Sequence, residues 1–141
     1  MHRLSDWQSR LERFLQENRT RRFVYGEWDC CLFVAAAIQA MTGTHPAPEY
    51  VGVYSNRSGA IDLIKRETGR TGAEFIWRKV MQKNGFIEGS AKFAQRGDPV
   101  LVSRKTDNSI GILGPDCRLF VLSRHGLAIV DRSFIVRSWQ V

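Results

Sequence analysis

The chain has 141 residues, 43% of them hydrophobic, with 21 Lys and Arg against 14 Asp and Glu, a net charge of +7. That length fits one domain with an ordinary core, and that composition excludes a disordered or low-complexity chain. The longest apolar run is too short to cross a bilayer, and three cysteines, two of them adjacent, do not make a disulfide framework.

The positive charge favours anionic partners such as an acidic cell-envelope polymer or an acidic protein surface. Basic residues cluster only at Arg19-Thr20-Arg21-Arg22 and are otherwise scattered. Scatter of this kind is the pattern of a solvated surface, so nucleic acid is not the expected partner. The residues from Met1 to Trp7 carry no apolar signal region, so the expectation is synthesis in a cytoplasm without a signal peptide.

In chain order, residues 5–17 read as an amphipathic helix. Ser5 and Gln8 make a capping-box pattern, and Leu4, Trp7, Leu11, Phe14 and Leu15 fall on one stripe that predicts packing onto the domain. Phe23-Val24-Tyr25 is a short extended lead into a turn at Gly26. An apolar helix follows at about 30–41, with Asp29 as its N-cap and Gly43 as its stop. Residues 44–57 contain Pro46, Pro48 and Gly52 and read as loop. Helices at about 59–68 and 72–84 stop at Gly69 and Gly85, the second opened by a Thr71…Glu74 capping box.

After Gly97 the character changes. Five short β-favouring runs, 100–102, 110–113, 119–122, 127–130 and 134–136, are separated by turn signals at Thr106-Asp107-Asn108, Gly114-Pro115-Asp116, His125-Gly126 and Asp131-Arg132. Helices first and antiparallel strands second is an α+β order.

Cys30 is then the first residue of a buried helix. A thiol there meets the positive end of the helix dipole, which favours thiolate and is a common way to build a cysteine nucleophile. Cys30, Cys31, His45, Cys117 and His125 have no zinc-ligand spacing, and no phosphate loop or dinucleotide fingerprint is present. Neither a metal nor a cofactor is expected.

A central helix with an N-terminal cysteine ahead of an antiparallel sheet is the papain-like layout. Tyr25-Gly26, Asp29-Cys30, the apolar helix, Gly97-Asp98 and the strand Ile110-Gly111-Ile112 resemble the NlpC-type cell-wall cysteine peptidases over roughly residues 23–141. In that family the Asp-Cys pair opens the catalytic helix and a histidine stands immediately before the Ile-Gly-Ile stretch. A closer resemblance is to small phage-encoded NlpC-like proteins of uncharacterised function. It rests on the opening Trp7 to Phe14, Phe23 to Cys30, Ala40-Met41-Thr42-Gly43, Tyr54 with Gly59-Ala60, Arg96-Gly97-Asp98, Gly126-Leu127 and Trp139. Those proteins tend to be encoded among tail genes. The resemblance implies a single NlpC-like domain over 1–141: an N-terminal helix within 1–20, a mainly helical part at 23–95 and a sheet of about five strands at 97–141.

The chain departs from the family where the chemistry should be. Ser109 occupies the histidine position, and serine cannot serve as a base near neutral pH. The polar residue that orients the histidine should fall near Val121 or Leu122, and neither side chain can accept a hydrogen bond. His2 lies near the chain end, and His45 should lie beyond the far end of a helix roughly 18 Å long. His125, in a turn, is the one candidate for a surrogate base. Two expectations follow. One is a tail-tip structural or binding protein, inactive or weak as an enzyme, assembled into the virion with other tail proteins. The other is a peptidoglycan endopeptidase using Cys30 during genome entry.

Overall fold

The computed structural model describes residues 1–105 and 107–141. Thr106, assigned to the first turn between strands, lies outside the described residues. Four helices come first: α1 (Trp7–Glu17), α2 (Cys30–Thr42), α3 (Arg57–Thr68) and α4 (Ala73–Lys83). Six strands follow: β1 (Ile87–Ser90), β2 (Pro99–Arg104), β3 (Asp107–Leu113), β4 (Leu119–Ser123), β5 (Gly126–Val130) and β6 (Ile135–Gln140). They form one antiparallel sheet in the order β1-β6-β2-β3-β4-β5. The α+β class of the sequence stands, with six strands rather than about five.

The additional strand is β1, inside the part expected to be mainly helical. Ile87, at 70% exposure, and Glu88 face solvent, so no apolar alternation marks the segment. Its conformation comes from pairing with β6, Ile87 opposite Gln140 and Ser90 opposite Arg137. Asp107 and Asn108, expected in a turn, belong to β3 and pair with Arg104 and Ser103.

Helix α2 is the centre of the molecule because it is apolar on nearly every side, with Gln39 its one exposed residue. Phe33, Val34, Ala37, Ile38 and Met41 are all fully buried. Full burial of Phe33, Ile38 or Met41 contributes about 1.5–3 kcal/mol each. Gly43 ends the helix in the left-handed conformation, and its N–H returns to the Gln39 carbonyl at 2.8 Å. The stripe of α1 is realised: Leu11 and Leu15 join the core, and Phe14 lies against Trp28 and Phe33.

Neither capping box forms. Asp6, not Ser5, stands at the N-cap of α1, and its carboxylate turns to the Arg10 guanidinium at 2.7 Å. Gly72 stands at the N-cap of α4, and Glu74 accepts from the Asn108 side chain on β3 at 3.0 Å. In both places an acid takes a cation or an amide donor in preference to a backbone N–H.

Strand alternation sorts the sheet residues onto two faces. Leu101, Ile110, Ile112, Leu122 and Trp139 pack with the helices. Val100, Val102, Leu113, Leu119, Val121 and Ile135 form a second cluster on the other face, joined by Ala94. Trp28, Trp77 and Trp139 are core residues, each at most 2% exposed.

The N-terminus is anchored at the start of β2. Asp98, 3% exposed, accepts from Arg3 at 3.0 Å and from the Gln95 N–H at 3.0 Å. Arg3 also lies over the Trp7 ring at 4.1 Å. Gly97 approaches this cluster with φ +90, and a Cβ there would stand 2.7 Å from the Trp7 ring. Asp98 is thus more than a turn residue: it ties the first residues of the chain to the sheet. Among the described residues, no helix is long and apolar enough to cross a membrane.

Candidate functional site

The site is built from the turn before α2. Asp29 is 5% exposed and caps the helix, its Oδ1 accepting from the Leu32 N–H at 3.0 Å. Its Oδ2 accepts from the Gly26 N–H at 3.1 Å and from the Tyr54 hydroxyl. Gly26 is obligatory. Its φ is +80, and a Cβ would sit 1.8 Å from the Tyr54 carbonyl oxygen. The Gly52 N–H closes the same junction by donating to the Gly26 carbonyl at 2.8 Å. The loop around Tyr54 is therefore locked against the turn that aims Cys30.

Cys30 and Cys31 are the first two residues of α2, and their sulfurs stand 4.0 Å apart. Both line a cavity of about 510 Å³. Its walls come from the turn before α2 (Phe23, Tyr25), the following loop (Tyr54), α3 (Arg57, Ile64), α4 (Ile76, Trp77) and the β2–β3 end of the sheet (Arg104, Asp107, Asn108, Ser109). The Asn108–Glu74 hydrogen bond closes one wall. A second cavity of about 450 Å³, between the 48–53 segment and helices α3 and α4, shares Tyr50, Leu63 and Val80 with the first. Its rim carries the Glu49–Lys83 and Glu67–Lys79 ion pairs.

Cys30 is the thiol of the pair that ionises first. It is held below its ordinary value first by the hydrogen bond it shares with the Cys31 thiol, with a smaller lowering from the Ile110 backbone, while burial and the Asp29 and Asp107 charges oppose. Cys31 is pushed well above its ordinary value by the same shared hydrogen bond, by burial and by the charges of Cys30 and Asp29. Burial and the neighbouring Asp29 likewise push the Tyr54 hydroxyl far up, so it acts as a fixed donor and not as an acid–base group. The charges felt by the Cys30 sulfur are thus carboxylates, the opposite of a thiolate–imidazolium pair.

Ser109, on β3, lines the same cavity as Cys30. Leu122, one of the two positions expected for the orienting residue, also lines the cavity; Val121 packs in the cluster on the other sheet face. The histidines lie elsewhere. His125 is exposed in the β4–β5 turn, where its N–H donates to the Ser123 hydroxyl at 3.2 Å, and it is not part of the cavity wall. His45 lies past the C-terminus of α2, its Nδ1 accepting from the Ala47 N–H at 3.0 Å, with burial holding its pKa down. Cys30 and Ser109 are therefore brought together, and His125 is not brought to them. The sequence marks Tyr54 only as part of the resemblance and gives no role in the site to Tyr54, Arg57 or Arg104. The Tyr54 contact spans 25 positions, and nothing local marks it.

Among the described residues, no group of three or more His, Cys, Asp or Glu side chains is placed to hold a metal. The chain belongs to the family described as "Domain of unknown function (DUF6950)", which it matches over residues 2–141. Comparison with curated proteins finds no match.

Proposed function

We propose that this protein is a binding and structural module of a phage tail tip, built on a papain-like NlpC-type fold that has lost its catalytic base. The observation that carries the reading is the cavity: Cys30 and Ser109 both line it, and none of the described histidines does. A cysteine hydrolase needs a base within hydrogen-bond reach of its nucleophile or of an intervening water. Of the acids in the cavity wall, Asp29 is committed to three donors, Glu74 to Asn108, and Asp107, the first residue of β3, is exposed. The cavity then serves to hold a neighbouring tail protein segment or an envelope polymer without cleaving it.

The competing reading is a peptidoglycan endopeptidase with Cys30 as nucleophile. It is favoured by the placement of Cys30 at the N-terminus of α2. The two separate in the pH dependence of Cys30 alkylation, measured in a Cys31→Ala, Cys117→Ala background. The binding reading expects slow reaction below neutrality and unchanged infectivity of a Cys30→Ser phage. Rapid alkylation below pH 7, together with loss of infectivity in Cys30→Ser despite normal tails, would overturn it.

A further inference from the structure

We propose that Cys30 and Cys31 together form a two-thiolate site for a thiophilic monovalent metal ion, Cu(I), in the wall of the larger cavity. The inference does not depend on whether the site cleaves anything or where the protein is assembled. Both residues line one cavity of about 510 Å³, and their sulfurs stand 4.0 Å apart. Two metal–sulfur bonds of about 2.3 Å would span that separation at an angle of roughly 120°. That is the angle of a three-coordinate centre, with two corners filled by the chain and the third open to the cavity.

The surroundings select the ion. A structural zinc site needs four protein ligands, and the described residues offer no third His, Cys, Asp or Glu. Asp29 is near but cannot turn to a metal without releasing the Leu32, Gly26 and Tyr54 donors. Two soft donors alone suit a closed-shell soft ion that accepts low coordination. Binding releases the two thiol protons to solvent and gives a Cu(I) dithiolate; no electron moves if the ion arrives as Cu(I).

The alternative fate of a dithiol, an internal disulfide, is opposed by the fold. Adjacent Cα atoms across a trans peptide are about 3.8 Å apart, below the usual disulfide range of about 4.4–6.8 Å. Closing that ring would open the first turn of α2, which Asp29 fixes. The pair is therefore held as two thiols at ligand separation.

The test is anaerobic titration of the reduced full-length protein with Cu(I) in competition with bathocuproine disulfonate. The expected result is one ion per chain, with sulfur-to-copper charge-transfer absorption in the ultraviolet. Cys30→Ser and Cys31→Ser should each weaken binding by more than about 100-fold, the upper end of what loss of an outer-shell partner costs. Cys117→Ser, in the turn before β4, should bind as the parent does. Thermal melts of the metal-free variants, expected to match the parent, separate loss of the ligand from loss of the fold. Parent-like affinity in Cys31→Ser, one ion shared by two chains, or loss of binding in Cys117→Ser would each overturn the assignment.

Discussion

Two aspartates, each just ahead of a core element, are buried to the same degree and solve burial in opposite ways. Asp29 is 5% exposed and has only neutral donors: two backbone N–H groups and the Tyr54 hydroxyl. Asp98 is 3% exposed and has a cation, Arg3, as well as the Gln95 N–H. Each sits near a glycine with positive φ, Gly26 and Gly97. Their pairing differs because their tasks differ. Asp98 closes a structural seam, where an Arg stacked on Trp7 can seal the surface. Asp29 caps α2 in the cavity wall, where the backbone of that turn and the Tyr54 hydroxyl supply its donors.

The Asp98 seam also shows the limits of an ion pair. Burial holds Asp98 above its ordinary pKa and Arg3 below its own, so desolvation outweighs the mutual attraction for both partners. Such a pair costs little to replace with apolar groups and much to break from one side.

The comparison breaks most sharply at the two glycines. Gly26→Ala would place a methyl against the Tyr54 backbone carbonyl in a left-handed conformation. It should lose more than about 3 kcal/mol, at the high end for single substitutions. Gly97→Ala meets the Trp7 and Arg3 side chains, which can move, and should lose clearly less. Urea unfolding of both variants checks the order; equal losses would mean that the Tyr54 loop yields as easily as a side chain.

Next is Arg3→Met, which leaves the Asp98 carboxylate buried without its cation. A loss of about 2 kcal/mol at pH 7 is expected, below the 3–5 of a fully buried pair because Arg3 is 20% exposed. The pH dependence has a definite sign. With the folded pKa of Asp98 raised, the folded state holds its proton at higher pH than the unfolded chain does. This group's contribution therefore falls as pH rises from the ordinary carboxylate value through the raised one. Removing Arg3 widens that window upward, so the stability gap between variant and parent should shrink on acidification. A gap independent of pH between 4 and 7 would show that Arg3 acts through Trp7 packing alone.

The smallest effect is expected of Tyr54→Phe. It removes one of three donors to Asp29 and leaves the cap bond to Leu32 intact. About 1 kcal/mol should be lost. Thermal unfolding of the variant, with alkylation of Cys30 as a second readout, separates a stability role from a role in fixing the thiol.

Helix α2 was legible almost to the residue because its limits are local. Asp29 caps within three residues, Gly43 adopts a conformation that glycine reaches without strain, and a run apolar on nearly all sides has only the core to go to. The capping boxes of α1 and α4 were not legible. At α1 the N-cap falls on Asp6, which turns to Arg10, and at α4 the Glu74 of the expected box takes Asn108, 34 positions away. Strand β1 was invisible for the same reason: its only evidence is the register with β6, about fifty residues later.

The site divides along the same line. The sequence by itself determined that Cys30 opens a buried helix behind an Asp29 cap, that Ile110–Leu113 is strand, and that helices precede an antiparallel sheet. These follow from caps, stops and periodicity, which act over a few residues. Only the tertiary structure decided that Ser109 and Cys30 share a cavity wall, that His125 is turned away to solvent, that Tyr54 completes the shell of Asp29, and that two adjacent cysteines line one cavity. Each of those depends on how far-separated segments meet in packing, and the chemistry available at Cys30 is set by that meeting.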